Sequence, residues 1–419
     1  MSADLEQRLA DLDEHGLRRR MRLVSGPQGS RVVLDGKPVL LLCSNNYLGL
    51  AEHQKVREAA SEAALRYGAG AGASRLVSGT MSVHRKLEAA LAEFKGTEST
   101  VLFGSGYLAN LGVVSALATA GGRDTVVFSD ALNHASIIDG CRLANAQTVV
   151  YDHCDTEHLA LLMEQYSGRP QIIVTDSVFS MDGDIAPLAE IAELKARHGA
   201  RLIVDEAHGT GCCGPGGRGA VADAGLPEGA VDVLVGTLGK ALGSYGAFAA
   251  CSATMADFLT NTSRPLIFST APPPPAVAAA LAALELVQTE PGHTTRLQAN
   301  AETLRAALAR EGFEIVGSST QIIPLIVGDA ALAMRICELA IEGGVFAQAI
   351  RPPTVPDGTS RLRLAVMASH TKAELREAAT VLGKAALQAG FRPASGLPVA
   401  ATQGAGASSP RALRAVRAA

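Results

Sequence analysis

The sequence predicts an α/β protein built on a mostly parallel sheet and followed by a smaller α+β unit. From about residue 97, short β-branched apolar runs alternate with longer helical patterns, the order expected when crossover helices join parallel strands. Several of these runs are apolar at every position, as strands covered by helices on both faces are. After a helical stretch at 276–288 the order changes to long helices with two separated strand patterns. That change marks the second unit.

Taken in order, residues 1–20 read as an amphipathic helix with Leu5, Leu9 and Leu12 on one side, because those positions recur at helical spacing. A strand pair around Arg31 to Val39 follows, joined by the Asp35-Gly36 turn, a dipeptide that favours tight hairpins. The sheet strands are predicted at 99–103, 125–130, 148–153, 172–178, 202–207, 231–238 and 246–252. The helix at 276–288 follows the Pro272 to Pro275 run and carries the chain out of that sheet, since proline is tolerated only at a helix start. Beyond it, 314–328 and 360–367 read as strands, and helices are expected near 293–310, 331–343 and 372–389. From about Phe391 the chain is rich in Ala, Gly, Ser and Pro and is predicted to be disordered. The division expected is an N-terminal arm (1–45), a large domain (46–283), a small domain (284–392) and a tail (393–419).

Composition narrows the function. With 419 residues, 47% hydrophobic and 19% charged, the chain can bury a large core and is not a mainly disordered protein. Its formal net charge of −4 gives no basic excess for nucleic acid. Seven cysteines, an odd number without a CxxC pair, suit a reduced cytoplasmic chain. The acidic N-terminus does not read as a targeting signal. The apolar region from Ala271 to Val287 holds four prolines and Glu285, so no membrane span is expected. No repeat of 20 to 50 residues is present, which excludes a solenoid. The 43 glycines beside 16 aromatic residues and no Trp predict many tight turns and close backbone approaches.

Three local strings invite other chemistry. Gly104 to Ala109 fits the dinucleotide pattern after a strand, but the same glycines serve any phosphate at a helix N-terminus, or a plain tight turn. Asp205-Glu206-Ala207-His208 spells a helicase box, yet no GxxxxGK[ST] accompanies it and Lys240 is followed by Ala, so a nucleotide-driven motor is rejected. His208, Cys212 and Cys213 offer three ligands without a second pair, and no metal site is expected. The remaining constellation is stronger. Asp205 ends one strand with His208 just beyond, and Lys240 sits in a Gly-flanked loop after another, where open sheets place their ligands. Spacing alone leaves open a surface lysine and a turn-capping aspartate.

Further strings resolve this. SNNYLGL (44–50), GAGASRLVSGT (70–80), LNHASIIDG (132–140), SVFSMDGD (177–184), VDEAHGTG (204–211), GTLGKALG (236–243) and RPPTVPDGTSRLRL (351–364) resemble the α-oxoamine synthases, pyridoxal-phosphate enzymes of fold type I. The resemblance spans residues 18 to about 390. It implies a large domain with a seven-stranded sheet, a small C-terminal domain, the cofactor pyridoxal 5'-phosphate and a homodimer.

By this resemblance, Lys240 would bond the cofactor aldehyde and then act as general base. Asp205 would pair with the ring nitrogen, His134 would stack on the ring and contact substrate, and His208 and Ser180 would bond the phenolic oxygen. The phosphate would take Ser105, Gly106, Tyr107 and Thr237, with Thr270 from a second subunit. Arg363 would clamp the amino-acid carboxylate with help from Asn45, although Arg361 shares its strand face and a solvated charge is the alternative. Arg18 and Thr354 would contact the acyl substrate, and Arg19 and Arg20 compete with Arg18 in the same run. The strings HGTG and RPPTVP favour the branch that joins L-alanine to a pimeloyl thioester, carried on coenzyme A or an acyl-carrier protein. The glycine C-acetyltransferase, aminolevulinate and sphingoid-base branches are its rivals. A non-catalytic binding paralogue would not be expected to keep Lys240, Asp205, His134 and His208.

Overall fold

The computed structural model describes residues 2–144 and 146–392. The chain opens with a helix, Ser2–Glu14, shorter than the 1–20 expected. It ends because Gly16 turns the backbone into the left-handed region, φ 65°, where glycine carries no Cβ penalty. Leu5, Leu9 and Leu12 are exposed, so its apolar side has no cover among the described residues. Strands β1 (Val24–Ser25), β2 (Arg31–Leu34) and β3 (Lys37–Leu41) follow. The β2–β3 pair is the expected hairpin, with Leu34 opposite Lys37 across the Asp35-Gly36 turn.

The large sheet contains β4 (Ser99–Phe103), β5 (Val126–Asp130), β6 (Gln147–Tyr151), β7 (Gln171–Asp176), β8 (Arg201–Asp205), β9 (Val233–Thr237) and β10 (Ala247–Cys251). Their spatial order is β4-β10-β9-β8-β7-β5-β6. The links from β6 to β9 are parallel, and only β10 runs against its neighbours β4 and β9. Alternate residues enter different cores: Leu202 and Val204 of β8 join one apolar cluster, while Ile203 joins the other. This is the physical meaning of strands without a polar face. Gly236 in β9 reflects the same crowding, since a Cβ there would overlap the Phe248 ring of β10.

The helix Pro274–Thr289 starts inside the proline run, where a missing N–H costs nothing. Its buried residues through Val287 pack in a core of the large sheet, so the division expected at 283/284 falls inside one helix. No described helix is long and apolar enough to cross a membrane.

The C-terminal strands are β11 (Ile322–Gly328), β12 (Val345–Phe346), β13 (Gln348–Ile350) and β14 (Ser360–Ala365). β14 lies between β11 and β13, antiparallel to both. The strand expected over 314–328 begins only at Ile322 because Gly317 has φ 80° and Thr320 Oγ1 donates to the Gly183 carbonyl at 2.9 Å. β12 pairs in parallel with β3, and Val32, Leu34 and Val39 to Leu42 pack in the C-terminal core. The N-terminal arm is thus built into the small unit. Residues 393–419, expected to be disordered, lie outside the described residues.

Candidate active site

Parallel strands point their carboxyl ends the same way, so the residues that close them gather at one edge. Asp176 ends β7, Asp205 ends β8 and Thr237 ends β9. Asp205 is buried and accepts from Asn110 Nδ2 at 2.5 Å and the Ala207 amide at 2.7 Å. Its register partner across the sheet is Asp176, which accepts from the His134 amide at 2.8 Å. Burial, and then the charge of Asp205, push the Asp176 carboxyl well above the usual range.

Lys240 reaches the same edge from the turn after β9, its Nζ lying 2.8 Å from His208 Nε2. Burial is the largest influence on the amine and lowers its pKa to about 8; Arg363 acts in the same sense, against Asp205 and Asp176. His208 is buried, and desolvation followed by Lys240 and Arg363 holds it neutral. Its Nδ1 lies 2.7 Å from the Tyr47 hydroxyl, which donates to Asn45 Oδ1 at 2.9 Å. That leaves His208 Nδ1–H donating to Tyr47 and Nε2 accepting from the lysine amine.

Arg363 joins this chain from β14. It donates to the Ser180 carbonyl, to Asn45 Oδ1 at 3.2 Å and to the Tyr47 hydroxyl at 3.2 Å. The guanidinium keeps further N–H donors for a carboxylate. Arg361, on the same strand face, is turned to the neighbouring loop and donates to the Met181 carbonyl and to Asp182. Spacing could not tell these two arginines apart.

His134 is exposed in the cleft, while Ser136 Oγ lies 2.7 Å from its Nδ1. The protein on its other side is dense enough that burial lowers its pKa, against Asp205 and together with Lys240. Ser105 caps the helix Gly106–Ala120, its Oγ accepting from the Leu108 amide at 3.2 Å. The amides of Gly106 and Tyr107, first in that helix, have no acceptor within it. A Cβ on Gly106 would lie 3.9 Å from Thr237 Oγ1, so the threonine hydroxyl stands beside these amides. The Tyr107 hydroxyl itself turns away to Asp139.

Other expected residues lie apart. Thr270 is exposed and bridges to Ser74, with no bond to this cluster. The Ser180 side chain has none either; its carbonyl makes the contact. Arg18, Arg19, Arg20 and Thr354 line a separate cavity of about 860 Å³ with Arg22 and Arg351. Within it Arg18 is paired with Asp13 at 2.5 Å. Burial and then Arg19 lower the pKa of Arg351, so Arg19 and Arg351 share one neighbourhood. Tyr47, Asn110 and Asp176 were not expected as site residues, although Tyr47 lies inside the string SNNYLGL. Their partners are between 42 and 161 residues away, and no local pattern shows such pairing.

An amine of lowered pKa, a buried carboxylate pair, an open imidazole face and a helix N-terminus meeting at one sheet edge define a pyridoxal-phosphate enzyme of the aminotransferase fold. The profile of the family described as aminotransferase class I and II matches residues 37–382. The 8-amino-7-oxononanoate synthase of Citrifermentans bemidjiense is 52% identical over 379 residues, covering 90% of this chain and 96% of its own. A lysine-to-alanine variant of the serine palmitoyltransferase of S. paucimobilis, solved with a bound PLP-myriocin aldimine, superposes with a TM-score of 0.87 at 32% identity, covering 92% of this chain and 98% of its own. The 8-amino-7-oxononanoate synthase structure from Francisella tularensis gives 0.72 at 27% identity, covering 84% and 98%. The chain belongs to the α-oxoamine synthases of the aminotransferase class I and II family, in the group of 8-amino-7-oxononanoate synthases.

Pyridoxal 5'-phosphate fits the residues present. The free amides at Gly106 and Tyr107 with Thr237 suit a phosphate dianion at the positive end of a helix. Asp205 suits a protonated ring nitrogen, and Lys240 at a pKa of about 8 has a neutral fraction able to attack an aldehyde near neutral pH.

Proposed function

We propose that the chain condenses L-alanine with a pimeloyl thioester, with loss of the thiol and carbon dioxide, to give 8-amino-7-oxononanoate. The observation that carries this reading is the Lys240–His208–Tyr47–Arg363 chain of contacts, which joins a base to a carboxylate receptor. Arg363 holds the alanine carboxylate through its remaining N–H donors, and Asn45 and Tyr47 fix the guanidinium. Lys240 takes the α-proton, and neutral His208 keeps an acceptor on the amine to orient it. Bound pyridoxal phosphate supplies the electron sink for the charge left on the amino-acid carbon. Asp205 would hold the ring nitrogen, His134 would cover the ring face, and His208 and Ser180 would bond the phenolic oxygen. Ser105, Gly106, Tyr107 and Thr237 would hold the phosphate.

The basic cavity beside Arg18 and Thr354 suits the free carboxylate of the pimeloyl chain, and Arg19 with Arg351 adds to its positive field. The exposed Thr270 and the uncovered leucines of the N-terminal helix support a homodimer in which Thr270 serves the other copy's phosphate. Seven unpaired cysteines suit a reducing cytoplasm. The carrier is coenzyme A or an acyl-carrier protein.

Purified enzyme offered alanine or glycine against pimeloyl and acetyl thioesters tests this. Turnover with alanine and the pimeloyl thioester is expected, and activity confined to glycine and acetyl-coenzyme A would overturn it. Comparing the two pimeloyl carriers in the same assay decides between them.

A further inference from the structure

Outside the site, one titratable group is bonded to two carboxylates at once. His153 follows the end of β6, with Nδ1 2.9 Å from Asp130 Oδ1 and Nε2 2.7 Å from Asp184 Oδ2. A ring facing a carboxylate from each nitrogen donates at both and is an imidazolium. Burial works against that charge, but the bonds to Asp130, Asp184 and Cys154 outweigh it and push the pKa up to about 12.

Each carboxylate anchors a loop that carries a site residue. Asp130 accepts from the Leu132 amide at 2.8 Å, two residues before His134, and from the Cys154 amide at 2.9 Å. Asp184 belongs to the tight loop that closes through Phe179 N to Asp184 O at 3.0 Å and Gly183 N to Phe179 O at 2.8 Å. The Phe179 ring meets the His153 ring edge-on, centroids 4.4 Å apart. On its far side the same loop is held by Arg361 at Met181 and Asp182, and by Thr320 at Gly183. Between these two holds lies Ser180, whose carbonyl receives Arg363.

Asp130, His153 and Cys154 also stand close enough together to hold a cation. Both ring nitrogens are engaged with carboxylates, however, and burial raises the Cys154 pKa so that it stays a thiol. The cluster is built as an ion-pair clamp.

We propose that His153 is a positioning residue for the amino-acid site: by clamping Asp130 to Asp184 it sets the loop whose Ser180 carbonyl orients Arg363. This rests on the reading of Arg363 as the receptor of the substrate carboxylate. His153→Gln keeps one donor and removes the double bridge. In holoenzyme its KM for alanine is expected to rise about tenfold, the scale of one lost positioning hydrogen bond, with the KM for the thioester unchanged. In an Arg363→Lys background the same change should add nothing to the alanine KM, because both act through one group. Asp184→Asn, at a partly exposed position, carries the same expectation if His153→Gln does not fold. An unchanged alanine KM, an equal rise for both substrates, or additivity with Arg363→Lys would overturn the proposal. Arg363→Lys alone leaving the alanine KM unchanged would remove the carboxylate reading itself, and the inference with it.

Discussion

Lys95, which is buried, and Lys240, which is part-buried, bond the same turn, residues 205–210, and differ in how completely they are satisfied. Lys95 Nζ donates to Glu206 Oε2 at 2.5 Å, Thr210 Oγ1 at 2.9 Å and the Arg218 carbonyl at 2.6 Å. Glu206 is closed too, its other oxygen accepting from the Val221 amide at 2.8 Å. Both side chains are 1% exposed. Lys240 has one such partner, His208, and opens toward the cleft. A fully bonded ammonium fixes structure; an under-bonded one whose pKa is pulled to about 8 is left for chemistry. At one strand end Glu206 is locked against Lys95, while its neighbour Asp205 acts on Lys240 through its charge alone.

Four changes would break or sharpen this contrast. The largest effect belongs to Lys240→Met, expected to lower kcat by more than about 10³-fold with no loss of stability to urea. The sign follows from linkage: the folded pKa lies below the ordinary 10.5, near 8, so between those values the unfolded chain binds more protons and stability rises with pH. Below that window the buried charge costs the fold, and removing it relieves the cost; urea melts of wild type and variant across this pH range should show the slope flatten in the variant. Lys95→Met is the mirror image, expected to cost about 3–5 kcal/mol in urea unfolding because Glu206 is left buried and unpaired. An active, fully stable Lys95→Met would end the distinction between the two lysines.

Gly236→Ala tests the crowding under the site. Its Cβ would overlap the Phe248 ring, and a loss of about 1–3 kcal/mol is expected from thermal or urea unfolding. The smallest effect is Tyr47→Phe, which removes the hydroxyl shared by His208, Asn45 and Arg363. A rise of about tenfold in the alanine KM, roughly 1.4 kcal/mol, is expected from steady-state kinetics.

Much of the fold could be read from the chain because the large sheet's strands are apolar on both faces and helices separate them. β12 and β13, with two and three residues, are too short for a period to register. The N-terminal hairpin was legible as a hairpin, but its place in the small core was not, since that depends on β12 lying some 300 residues further on. In the site, strand ends and glycine turns marked Lys240 and Asp205 as candidates, and only the longer strings around them set a surface lysine and a turn-capping aspartate aside. Tyr47, Asp176 and the His153 clamp could not be read from the chain, because each gains its meaning from a residue brought close only by folding. Arg361 and Arg363 are alike in an alternating strand, and only the loop at 180–182 with Asn45 and Tyr47 separates their roles.

In the proposed reaction Lys240, rather than any other lysine, is the amine that carries the cofactor. Holoenzyme reduced with borohydride and digested for mass analysis measures this directly. A pyridoxyl-phosphate adduct is expected on the peptide containing Lys240, with the Lys95 peptide unmodified. An adduct on Lys95 or on any other lysine, in enzyme that turns over before reduction, would contradict it.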